Sequence, residues 1–161
     1  MSTHERDGED AAGMVFAGCS MTNIAHAQPG GGRRRQVVVN GRRIKTIDVH
    51  AHCFIAEALA LAGLKLEDQR GPGIGEVGAR RIAEMDRAGV DMQVLSMTGP
   101  GVEEFDRATG TALARDINDE LAEKISHRSD RLAAFATLAY GDPVAAADEL
   151  ERAVRKLGFV G

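Results

Sequence analysis

From residue 44 onward, short apolar runs alternate with longer segments whose apolar residues recur every three or four positions. The run over 44–50 predicts a buried strand, and the Ala- and Leu-rich stretch over 55–64 a helix after it. Residues 68–75, around Gly71-Pro72-Gly73, predict a loop. Helical spacing returns over 79–88, with Ile82 and Met85 on one face and Gly89 in the stop position. Residues 92–97 form a second strand-length run, left through Thr98-Gly99-Pro100-Gly101. Over 105–126, Leu113, Ile117, Leu121 and Ile125 make the buried stripe of a long helix. A third strand is expected over 132–140. Asp142 as N-cap and Pro143 behind it open a last helix. Its expected apolar face is Leu150, Val154 and Leu157, and Gly158 ends it before residues 159–161 begin another strand.

Strands alternating with helices imply parallel strands joined by right-handed crossovers. No Gly-x-Gly-x-x-Gly follows the first strand; His50-Ala51-His52 stands in its place. That favours an α/β protein of the (β/α)8 TIM-barrel family over a doubly wound sheet, with ligands at the strand's C-terminal end. A complete barrel takes about 250 residues. The 161 residues therefore predict an incomplete barrel, strands one to three and the start of a fourth.

The expected division is a leader over 1–43 and the barrel part over 44–161. Ala25-His26-Ala27 after a mildly apolar stretch resembles a cleavage site, without a basic start. A cytoplasmic location is expected, or a periplasmic one should that leader function in export. Asn40-Gly41 between Val37-Val38-Val39 and Ile44 predicts a hairpin. The arginines around it, Arg33 to Arg35 with Arg42 and Arg43, are read as a solvated lead-in.

A net charge of -4, no Trp and a single Tyr argue against a nucleic-acid partner. No apolar run reaches the roughly 18 residues of a membrane span. Cys19 and Cys53 are too few for a disulfide framework. An open parallel sheet leaves edges unpaired, so a homo-oligomer is expected.

His50 and His52 carry the candidate chemistry. At i and i+2 of a strand their imidazoles share a face, and imidazole is the commonest metal-ligand side chain. Asp48 has the same parity and is expected to form a buried hydrogen bond beneath them. Cys53 points the opposite way and is read as packing, His127 as solvated, and Glu84, Asp86 and Arg87 as a charged helix face.

The ordered stretches 47–52, 84–101, 113–120, 131–138, 149–154 and 157–159 resemble the amidohydrolase superfamily. The branch they resemble contains aminocarboxymuconate-semialdehyde decarboxylase and the o-hydroxybenzoate decarboxylases. The resemblance implies a barrel with one catalytic divalent metal, usually Zn²⁺, with His50 and His52 as its first two ligands. A His and an Asp from later strands are expected beyond Gly161. It further implies a metal-dependent decarboxylase of a small aromatic or muconate-type carboxylic acid, inactive in this portion alone. The alternatives are a metal-dependent hydrolase of esters, lactones or amides and a non-catalytic truncated barrel. Within the branch, hydroxybenzoate decarboxylases often carry Glu where this chain has His50, whereas Leu95 to Gly101 leans toward that same group.

Overall fold

Three valines, an Asn-Gly pair and a second short strand fold back on themselves at the start of the described chain. The computed structural model describes residues 34–61, 63, 77–98 and 101–161. Strand β1 (Val37–Val39) pairs antiparallel with β2 (Arg42–Ile44), Val37 opposite Ile44. Asn40 and Gly41 take φ of 50° and 74°, the two left-handed positions that match a hairpin's twist.

Strand β3 (Ile47–Cys53) pairs parallel with β4 (Met92–Met97), and β4 parallel with β5 (Leu132–Ala134), in the order β3-β4-β5. Helices α1 (Ala56–Leu61) and α2 (Ala79–Ala88) connect the first two strands, α3 (Arg107–Ser126) the next, and α4 (Pro143–Lys156) follows β5. Beyond α4 the chain runs along β5 again: Val160 N–H donates to Ala134 O at 3.0 Å and Ala136 N–H to Gly161 O at 2.7 Å. Together they form a segment of barrel wall. Ala51, Cys53, Met85, Leu95, Ile117 and Leu121 are among the side chains of one core, and the stripe expected of α3 is buried there in full.

Several boundaries differ from the sequence reading, each for a local reason. Ile44 ends β2 rather than opening β3, because Thr46 interrupts the strand: its carbonyl accepts from both Asp91 and Met92 N–H (2.9 and 3.2 Å). Strand β5 stops at Ala134, since Thr137 exchanges both backbone groups with the Asn118 side chain (2.8 and 3.0 Å). Asp106 starts α3 two residues after Phe105 by accepting from Ala108 and Thr109 N–H. Helix α1 ends at Leu61, and the glycine-rich loop, Cys19 and the signal-like leader lie outside the described residues.

Helix α4 is rotated from expectation. Leu150 and Val154 are exposed, and Ala146, Glu149 and Ala153 are buried. Small alanines let the helix approach closely, and the Glu149 charge is answered where it sits. Its carboxylate accepts from Asn118 Nδ2 at 2.8 Å and from Arg152 Nε and Nη2 at 2.7 and 2.8 Å. Burial pushes the Glu149 pKa up, but the hydrogen bonds from Arg152 and Asn118 and the Arg152 and Arg115 charges outweigh it, leaving the carboxyl below its ordinary value.

The lead-in arginines are likewise engaged. Arg34 and Arg43 both donate to Asp91 Oδ1, and Thr46 N–H donates to Oδ2 at 2.8 Å. Asp86 pairs with Arg131 at 2.7 Å and Arg34 at 3.4 Å, so it is no mere surface charge. The Thr46 hydrogen bond, with the Arg43 and Arg34 charges, holds the Asp91 carboxyl below its ordinary value despite desolvation. A lone sequence shows charges but not which of them converge.

Three outcomes follow. Gly110→Ala would place a Cβ 2.8 Å from Val102 O. Overpacking of about 1–3 kcal/mol should exceed the roughly 1 kcal/mol helix gain, so chemical denaturation should show a less stable chain. Asn118→Ala, which strips Thr137 and Glu149 of buried partners, should lower stability by about 2–4 kcal/mol in the same measurement. A depressed carboxyl pKa stabilises the fold in full above its unfolded value near 3.9 and ceases to as pH falls through the folded value. Urea midpoints followed from pH 6 downward should therefore fall more steeply in the unmodified chain than in Asp91→Asn.

Candidate metal centre

The end of β3 is irregular where its chemistry lies. Asp48 pairs with Gln93 and Ala51 with Leu95, so three steps on β3 match two on β4 and a bulge spans Val49 and His50. Beyond it His52 lies opposite Ser96 and Cys53 opposite Met97. Paired residues of neighbouring strands face the same side, and Gln93 and Ser96 are an odd number of residues apart. Asp48 and His52 therefore face opposite sides of the sheet, and the shared parity read from the sequence fails because of the bulge.

His50 and His52 do meet. Their Nε2 atoms lie 3.0 Å apart, with ring centroids at 4.9 Å and planes at 89°. The Ser96 hydroxyl lies 3.3 Å from His52 Nδ1. A partner at Nδ1 leaves Nε2 as the face that would ligate a metal. At Zn–N bonds of 2.0–2.1 Å, two cis ligands of one ion lie about 2.9–3.4 Å apart, so the pair fits a divalent ion. His50 is exposed and His52 half-buried, which leaves the pair open to solvent. Among the described residues no group of three or more His, Cys, Asp or Glu side chains is placed to hold a metal.

Around the pair, Asp48 accepts from His50 N–H through Oδ1 and from Gln93 Nε2 through Oδ2, both at 3.0 Å. Arg81, only 5% exposed, donates to Gln93 Oε1 at 3.0 Å and to His52 O at 2.7 Å. The sequence reading missed Arg81 and Gln93. The available signal was a basic residue one helical turn before Met85, on the face α2 buries. Cys53 is fully buried, as its packing role requires. Burial pushes its thiol up to about 11 against the opposing Arg81 charge, which makes it a poor nucleophile. His127 is exposed at the end of α3, and His4 and His26 lie outside the described residues. No helix among the described residues is long and apolar enough to cross a membrane.

Known proteins resemble this chain in sequence and in fold. Gamma-resorcylate decarboxylase of Rhizobium sp. (strain MTP-10005) is 45% identical over 82 residues, which is 50% of this chain and 25% of that protein. The solved 2,6-dihydroxybenzoate decarboxylase from Rhizobium superimposes with a TM-score of 0.63 at 34% identity, covering 73% of this chain and 37% of that one. A dihydroxybenzoic acid decarboxylase from Polaromonas sp. JS666, solved with manganese and the inhibitor 2-nitroresorcinol, gives a TM-score of 0.63 at 33% identity, with coverage of 73% and 37%. The chain thus spans about a quarter of the curated relative and well under half of the solved ones. The strand–helix segment described above is part of an amidohydrolase-type (β/α)8 barrel. The amidohydrolase family profile matches residues 47–161, and the chain belongs to that family.

Proposed function

We propose that this chain carries the first two ligands, His50 and His52, of the divalent-metal site of a decarboxylase acting on a dihydroxybenzoate-type acid. The observation that carries the reading is the 3.0 Å approach of the two Nε2 atoms at the C-terminal end of β3, where a barrel presents its chemistry. The relatives named as decarboxylases of resorcylate and dihydroxybenzoate supply the substrate class. They favour the hydroxybenzoate cue of Leu95 to Gly101 over the cue of His50.

A divalent ion held there would supply positive charge to gather the carboxylate and neighbouring hydroxyl oxygens of such an acid. This chain's own residues orient the two imidazoles: Ser96 engages His52 at Nδ1, and the bulge turns His50 toward it. Manganese accompanies the Polaromonas relative, and zinc is what the imidazole ligands alone suggest. Two protein ligands are one short of an ordinary catalytic site, so weak metal binding and no turnover are expected of these 161 residues alone.

Calorimetric titration with Zn²⁺ and Mn²⁺ should show one site, weakened at least tenfold by His50→Ala or by His52→Ala. Affinity unchanged from the unmodified chain in either variant would refute the assignment. Carbon dioxide release from 2,6-dihydroxybenzoate should be absent from this chain, and measurable release would overturn the expectation of inactivity.

A further inference from the structure

We propose that Arg81 is a positioning residue for the histidine pair, holding β3 beyond its bulge at His52 directly and before it at Asp48 through Gln93 of β4. The proposal rests on the reading of His50 and His52 as metal ligands and extends it to a residue on a helix behind the sheet.

Two residues at i and i+2 of a regular strand start about 6.6 Å apart, two rises of ~3.3 Å. Their rings stand side by side unless something leans one toward the other. Here the Nε2 atoms close to 3.0 Å with the planes nearly perpendicular. The bulge spans His50 itself, and a bulge bends its strand and re-aims a side chain. It also breaks the regular ladder, so other groups must hold the backbone at that point.

A chain of four hydrogen bonds does so, running from the backbone of one histidine to that of the other. His50 N–H donates to Asp48 Oδ1 (3.0 Å), and Gln93 Nε2 to Asp48 Oδ2 (3.0 Å). Arg81 Nη1 donates to Gln93 Oε1 (3.0 Å) and Nη2 to His52 O (2.7 Å). The planar guanidinium fixes two acceptors at a set separation, which the single point charge of lysine does not reproduce. At 5% exposure Arg81 is costly to bury, and through Gln93 its hydrogen bonds reach both sides of the bulge.

The test uses the 161-residue chain with Arg81→Lys and Gln93→Met. The second variant cuts the link to Asp48 while leaving Arg81 on His52. NMR of the metal-free chain reads His50 amide exchange and both imidazole rings; Zn²⁺ titration reads the same rings. Both variants should keep a cooperative thermal transition, exchange the His50 amide about tenfold faster, shift the ring signals, and need about tenfold more Zn²⁺. Unchanged rings, amide exchange and zinc midpoint in a folded Gln93→Met chain would overturn the proposal, whatever either variant does to the melting temperature. Should the unmodified rings ignore Zn²⁺, the metal assignment fails, and the metal-free exchange and ring signals still decide whether Arg81 sets their geometry. Should Arg81→Lys fail to fold, Gln93→Met decides alone.

Discussion

The parallel pairing of β3 with β4 sets how the described residues at the end of β3 present their side chains. Were the register regular throughout, Asp48, His50 and His52 would line one face. The three-for-two step between Asp48 and Ala51 divides them instead. Asp48 joins Gln93 and Arg81 in a hydrogen-bonded chain, and the two imidazoles turn toward each other. One extra residue in one strand thus separates the groups that shape the site from those that would ligate.

Polar groups with assigned partners also tie the surrounding fold together. Asn118, with no exposed surface, joins α3 to the backbone after β5 and to Glu149 of α4. Asp91, at the other end of the sheet, draws in Arg34 and Arg43 and holds Thr46 just ahead of β3. Each removes a charge or amide from water and answers it at once, which is the condition for burying such groups at tolerable cost.

Features that depend on local chemistry were legible in the sequence. Asn40-Gly41, Gly89 behind α2, and Asp142 with Pro143 ahead of α4 each encode a turn or cap within a few residues, and the structure has all three. The α3 stripe was readable because four residues agree on one face. What escaped depends on contacts distant in sequence. Leu150 and Val154 suggested a buried face for α4, but Glu149 takes that place through Asn118 and Arg152, one of them 31 residues away. The bulge left no mark in a seven-residue strand pattern, so the parity of Asp48 was misjudged while the convergence of His50 and His52 was not.

The central claim is that these two imidazoles share one cation. Diffraction from crystals soaked in Zn²⁺, collected on both sides of the zinc absorption edge, locates the metal directly. An anomalous peak should appear within bonding distance of Nε2 on both His50 and His52. A peak bonded to neither ring, or to other residues alone, would contradict it.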